Sequence, residues 1–314
     1  MAVNIKNYQE ACDIAINKFK SNSQVLAIVV YGSMISGDIW ENSDVDFLVI
    51  SQDDNKMQTI YSKILDVPMH INFISKDVFI DSYRNMLKGG SFHKAFFMGK
   101  LIYCIDEDVK EIHSSTRNYT DRDKSIRNIE FLCNLLHSVH FTKKYMVTGK
   151  HETAFQWSVE ILKNYARILM NSNGHITDND ILSFAVNMNI NVENIFVTLN
   201  DDKPLLGRLS YIVEATEKFI NSNIESISQP IILLLRQKGE AYSVSELQNT
   251  EEFKQVDTDM NILLQCLSGF GFIKEKSRNY NTKGNEYLID EIVYYAEWKV
   301  LCFCGSLNEN LIKC

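Results

Sequence analysis

"YGSMISGDIWENSDVDFLVI" (residues 31–50) joins a Gly-Ser pair to two aspartates one residue apart, and both features sit beside apolar runs. Side chains two apart on a strand project from the same face. With residues 43–51 extended, Asp44 and Asp46 share a face while Val45 turns to the other. Two carboxylates so close repel unless a positive charge lies between them. Mg²⁺ supplies that charge through oxygen ligands, and a pair of such ions can clamp the attacking and leaving oxygens of a phosphoryl transfer. Asp44 and Asp46 are therefore the candidate ligands, for two Mg²⁺ ions. The Gly-Ser pair suits the other half of such chemistry. Gly32 lacks a Cβ and lets a triphosphate approach the backbone closely. Ser33 offers a hydroxyl and opens a short turn whose amides can face an anion. Gly37 lets the chain turn back toward the aspartates.

Outward from this stretch, QVLAIVVYGS (residues 24–33) is a β-branched apolar run that predicts a strand ending at Gly32. VPMHINFIS (67–75) and LIYCID (101–106) predict two more. Helices are predicted over residues 6–21, with Tyr8, Ala11, Cys12, Ile14, Ala15 and Phe19 as the apolar face, over NKMQTIYSKIL (55–65), and over KDVFIDSYRNMLK (76–88). Interleaved strands and helices make residues 1–118 an α/β or α+β domain. Beyond it the strand signals vanish. Long amphipathic helices are expected over 123–149 and 152–174, each ending near a glycine (Gly149, Gly174). A third opens with a Thr177-x-x-Asp180 cap pattern, and another covers 205–223. Residues 119–226 thus read as an all-α bundle, which either packs on the first domain or walls in a substrate.

Residues 227–314 form the third part. A helix, a Gly turn and a helix capped at Ser243 or Ser245 are followed by a helix, an apolar strand, a Lys-rich turn and a returning strand. That order resembles a winged helix-turn-helix module. Its third helix, DTDMNILLQCL (257–267), carries two acids and no Arg or Lys, and the basic residues gather in the wing at Lys274, Lys276, Arg278 and Lys283. A reader of DNA needs cations where it meets phosphates and bases, so a structural or dimerising role is expected rather than DNA binding. The oligomeric state is open.

The chain has 314 residues, 45% of them hydrophobic, and a net charge of −8. Such a balance opposes a long nucleic-acid track and suits a cationic small molecule or a protein as partner. The N-terminal stretch MAVNIKNYQEACDIAINKFK is amphipathic, with none of the pattern of a signal peptide, and the apolar runs are too short to span a bilayer. Seven scattered cysteines, including Cys302 and Cys304, read as reduced thiols. The expectation is a soluble, cytoplasmic protein with no membrane contact.

Gly-Ser, ten intervening residues, then Asp-Val-Asp in a hydrophobic strand resembles the signature of the DNA polymerase beta-like nucleotidyltransferase superfamily, which includes antibiotic and minimal nucleotidyltransferases. SFHKAFFMGKLIYCIDED (91–108) is similar to the end of the catalytic domain in the antibiotic-modifying members. The resemblance covers roughly the first third of the chain. It implies an α+β fold with a mixed sheet, Gly32 and Ser33 at the nucleotide phosphates, Asp44 and Asp46 on Mg²⁺, and a nucleoside triphosphate as substrate. Members of that group usually carry a third carboxylate on a later strand. In VPMHINFIS the residues on that face are His70 and Asn72, neither of them an acid. His70 either takes a proton from an attacking hydroxyl or lines the cleft as a polar residue; Glu41, Asp66 or an acid of the bundle is the other source of a third group.

Weaker candidates are His137 and His140, three apart on a helix, Lys94 as a phosphate contact, and Trp40, which stacks on a base or covers the core. Two functions fit. The first is transfer of a nucleoside monophosphate from Mg-NTP to an acceptor hydroxyl, favouring an aminoglycoside-like small molecule, with release of pyrophosphate. The second is a catalytically weak or inactive nucleotide-binding regulator acting through its winged-helix-like module.

Overall fold

Two apolar runs set the centre of the fold. VLAIVVY forms β1 (Val25–Tyr31) and VDFLVIS forms β2 (Val45–Ser51), and each is buried almost end to end. Residues apolar in succession, rather than in alternation, suit strands covered on both faces. The computed structural model describes residues 5–52, 57–86, 88–89, 91–116, 118–176, 181–281 and 286–298. Beside β1 and β2 lie β3 (Met57–Ile64), β4 (Val67–Ser75) and β5 (Lys100–Cys104), in the order β3-β4-β2-β1-β5. β2 and β4 run parallel and all other neighbours antiparallel, so the sheet is mixed.

The two faces of the sheet carry separate cores. On one, Tyr8, Ala11, Ala15 and Ile16 of α1 (Ile5–Lys20) pack on Ile28, Val30, Phe47, Val49, Met69 and Ile71. On the other, Ala27, Val29, Leu48, Ile50 and Ile74 meet Phe79 of α3 (Lys76–Asn85), Phe96 of α4 (Ser91–Met98) and Val109 of α5 (Glu107–Thr116). Phe79 and Phe96 are wholly buried, and each contributes about 2 kcal/mol by removal of its ring from water. At the edge of this second face where β1 ends and β2 and β4 begin, the inward positions turn polar.

The helix expected over residues 55–65 is corrected: Met57–Ile64 is strand β3. Met57, Ile60, Tyr61 and Ile64 have helical spacing, but all eight residues pair along β4 instead. The reversal between β3 and β4 uses Leu65 and Asp66, both at positive φ (50° and 63°). Such turns usually announce themselves by Asn-Gly or Asp-Gly, and this one does not. Asp44 lies just outside its expected strand, since β2 begins at Val45.

The helical part comprises α6 (Asp121–Val147), α7 (His151–Ser172), α8 (Ile181–Met188), α9 (Ile190–Leu199) and α10 (Leu205–Ile227). Thr120 and Asp123 cap α6 reciprocally, and the predicted Thr177–Asp180 cap lies outside the described residues. α11 (Gln229–Lys238), α12 (Val244–Gln248), α13 (Asn261–Gly269), β6 (Lys274–Asn281) and β7 (Tyr287–Tyr295) follow. Ser243 caps α12 in a box with Glu246. The apolar stretch before Lys274 is a turn rather than the expected strand, because the amides of Phe272 and Ile273 bond back to Leu267 O at the end of α13. Buried side chains from Ile126 in α6 to Ala296 after β7 form one cluster. That cluster meets the N-terminal part at Gly89, which has φ +90°, and where an added Cβ would lie 2.6 Å from the Tyr119 hydroxyl. Arg127 Nε donates to Lys88 O there at 3.2 Å, and Tyr119 donates to Asn171 Oδ1.

Candidate active site

Strand register brings the polar residues together. Tyr31 on β1 pairs with Asp46 on β2, Asp46 with His70 on β4, and His70 with Tyr61 on β3. Directly paired residues share a face, so these four form one row across the sheet. The next row contains Leu48, Asn72 and Thr59.

Asp46 holds both its neighbours in place. Its Oδ1 lies 2.8 Å from His70 Nδ1. An ionised carboxylate only accepts, so Nδ1–H donates, and Nε2 is left for another partner. The exposed Tyr61 ring stacks on His70 at 5.0 Å and 9°. Oδ2 points at Gly32, where an added Cβ would sit 2.1 Å from it. Gly32 also adopts φ 75° and ψ −155°, a conformation essentially reserved for glycine. The glycine anticipated as a place for phosphate is thus also the place for Asp46. Burial pushes the Asp46 carboxyl upward, the hydrogen bond from His70 opposes this, and nearby Asp44 adds to the rise.

After Gly32 the chain makes the short helix α2 (Ser33–Ser36), closed by amides of Ile35 and Ser36 on Gly32 O and of Gly37 on Ser33 O. The first amides of such a turn have no partner within it. The loop that delivers Asp44 is tied at its base: Trp40 N–H donates to Ser43 Oγ (3.0 Å), and Tyr8 of α1 donates to Ser43 O (2.9 Å). Trp40 itself is 59% exposed and covers no core.

Asp44, Asp46 and His70 each offer a ligand atom within 4.8 Å of the others, and they are the one such metal-capable group among the described residues. Glu41 and Asp66 do not join it. The donor set fits a divalent cation: two carboxylates and an imidazole converge, and oxygen-rich sets of this kind suit such an ion. His70 spends Nδ1 on Asp46, so it orients a ligand rather than replacing the missing acid through that atom. His137 and His140 lie on α6 against Phe141 and belong to no such group. The side chain of Lys94, and Lys283, Cys302 and Cys304, lie outside the described residues.

Sequence reasoning missed Tyr31, Thr59 and Tyr61. Asn72 Nδ2 donates to the Tyr31 hydroxyl at 2.8 Å, and Thr59 Oγ1 donates to Asn72 Oδ1 at 2.7 Å. Tyr31 was visible as the residue before Gly32, but Thr59 and Tyr61 were hidden in a segment with helical spacing. No described helix is long and apolar enough to cross a membrane.

No curated protein matches the chain. Among solved structures, a nucleotidyltransferase-like protein from Exiguobacterium sibiricum superposes with a TM-score of 0.69 at 14% identity, covering 92% of this chain and 99% of that one. At that identity the likeness speaks for the fold. Residues 14–108, the segment that holds Gly32, Ser33, Asp44, Asp46 and His70, match the family described as polymerase beta, nucleotidyltransferase.

Proposed function

We propose that the protein transfers a nucleoside monophosphate from a Mg²⁺-bound nucleoside triphosphate to the hydroxyl of a small acceptor, releasing pyrophosphate. The observation that carries this reading is the convergence of Asp44 and Asp46 beside Gly32, within a segment that matches a nucleotidyltransferase family. Asp44 and Asp46 would hold Mg²⁺, which when bound neutralises charge on the transferring phosphoryl group. Gly32 leaves room for Asp46, and Ser33 with the first turn of α2 faces the phosphates. His70, its Nδ1–H donating a hydrogen bond to Asp46, offers Nε2 as the base for the attacking hydroxyl. Asn72 lines the acceptor side.

Residues 1–118, 119–226 and 227–314 serve in this proposal as catalytic domain, helical bundle and winged-helix-like module. The order α11, a bridge at Tyr242 to β7, α12, α13, β6 and β7 supports the last of these. Two of its cations are engaged within the chain: Arg278 pairs with Glu246 and Glu291, and Lys274 with Glu297. That favours a structural role over DNA contact. Cysteines 12, 104, 133 and 266 are free thiols, which suits the cytoplasm.

The test is pyrophosphate release from each Mg-NTP with an acceptor library, compared with Asp44→Asn and Asp46→Asn. Release that both variants abolish supports the enzyme. Nucleotide binding without turnover under any acceptor refutes it and supports the second reading, a nucleotide-binding regulator, which the imidazole in place of a third acid favours.

A further inference from the structure

Tyr31 stands in the cleft without a role in the proposed reaction. It is paired with Asp46, yet its hydroxyl bonds to Asn72 on β4. Strands lie about 4.8 Å apart, so the side chain spans β2 and forms a floor beside the Asp46–His70 pair. The amide that holds it is itself held. Thr59 takes Asn72 Oδ1, which turns Nδ2 toward Tyr31 and makes the phenol oxygen the acceptor. The phenol's own proton is then directed away from Asn72, and no described group accepts it. With Asn72 on the oxygen, the hydroxyl still has its one proton to donate, to a bound group or to water.

The surroundings restrict what can accept it. An isolated anion is repelled by Asp44 and Asp46, and an isolated cation offers the phenol nothing. A polyphosphate carrying its divalent cation satisfies both sides at once. We propose that Tyr31 is a substrate-contacting residue whose hydroxyl donates to a phosphate oxygen of the Mg-nucleotide held over Asp44 and Asp46. The inference rests on the nucleotidyl-transfer reading, and Asn72 and Thr59 act through Tyr31 as positioning residues.

The experiment is calorimetric titration of the full chain with Mg-ATP, Mg-GTP, Mg-CTP and Mg-UTP, using wild type, Tyr31→Phe and Thr59→Val, with thermal melts of each. Tyr31→Phe keeps the ring and removes the hydroxyl, both the donor to substrate and the acceptor of Asn72 Nδ2. It is expected to stay folded, melting a few degrees below wild type for the lost Asn72 bond, and to raise the Kd of the preferred Mg-NTP roughly ten-fold, the effect of one hydrogen bond to a charged group. Thr59→Val, which releases Asn72 to turn, raises it by a smaller factor. A Tyr31→Phe protein that binds with wild-type Kd overturns the proposal. Should that variant fail to fold, an unchanged Kd in Thr59→Val overturns it instead. A wild-type chain that binds none of the four refutes the nucleotidyl-transfer reading and this inference together, an outcome distinct from the failure of Tyr31 alone.

Discussion

Substituting alanine for Gly32 tests the geometry at its tightest point. The new Cβ would lie 2.1 Å from Asp46 Oδ2, far inside contact distance, on a backbone at φ 75° and ψ −155°. Holding alanine in that conformation costs roughly 1–3 kcal/mol. Asp46 must also swing aside, which gives up the 2.8 Å bond from His70, and a charge-assisted bond of this kind is worth about 1.5–3 kcal/mol. A total near 4 kcal/mol is expected, or a fall in Tm of roughly 8–16 °C. Because the carboxylate is displaced from the cation position, Mg-dependent nucleotide binding should weaken as well. Thermal melting and calorimetry with Mg-NTP measure the two effects on one sample. A Gly32→Ala protein with wild-type Tm and wild-type Mg-NTP affinity would show that Asp46 does not need the space, and the site described above would be wrong.

Four further outcomes are expected. His70→Gln should lower the rate of pyrophosphate release about 10²- to 10⁴-fold while leaving Mg-NTP affinity within a few-fold, as steady-state kinetics beside calorimetry will show. His93 is buried, with Nδ1 accepting from Gly89 N–H and Nε2 facing Thr116 O, so burial holds its pKa below 6.5. The unfolded chain takes up the proton first, so the stability His93 contributes is full above about pH 6.5 and is lost as pH falls; urea midpoints across pH 5–8 should show a slope that His93→Gln reduces. Phe253→Ala, in the cluster shared by α6–α13 and β7, should cost about 3–5 kcal/mol and shift a single calorimetric transition for that whole region; two separate transitions would refute the shared core. Replacing Leu65-Asp66 with Asn-Gly, residues that tolerate positive φ, should stabilise the β3–β4 reversal by about 1 kcal/mol, visible as a raised Tm.

Much of the N-terminal part was legible because its interior strands write their burial into the sequence. VLAIVVY and VDFLVIS are apolar along most of their length, and VPMHINFIS alternates cleanly, so the shared face of His70 and Asn72 followed from period, while its alignment with Asp46 came from the family resemblance. β3 was not legible. It is an edge strand exposed along nearly its whole length, so no buried face imposed a two-residue period, and the chance spacing of Met57, Ile60, Tyr61 and Ile64 imitated a helix. The hydrogen bond of His70 to Asp46 was also out of reach, because it depends on the register between β2 and β4, which no local pattern encodes. The approach of Asp46 to Gly32 was hidden for a similar reason: sequence shows that a glycine is present, and only the fold shows what fills the space beside it.

Asp46 has one oxygen against an imidazole and the other against a glycine, so three positions far apart in the chain share a single fit. A lineage that put a side chain at position 32 would lose the carboxylate's seat, and with it the partner that fixes the His70 ring. A lineage that replaced His70 with an acid would set a third negative charge against Asp46. A substitution at any one of the three positions therefore alters the seat of the other two.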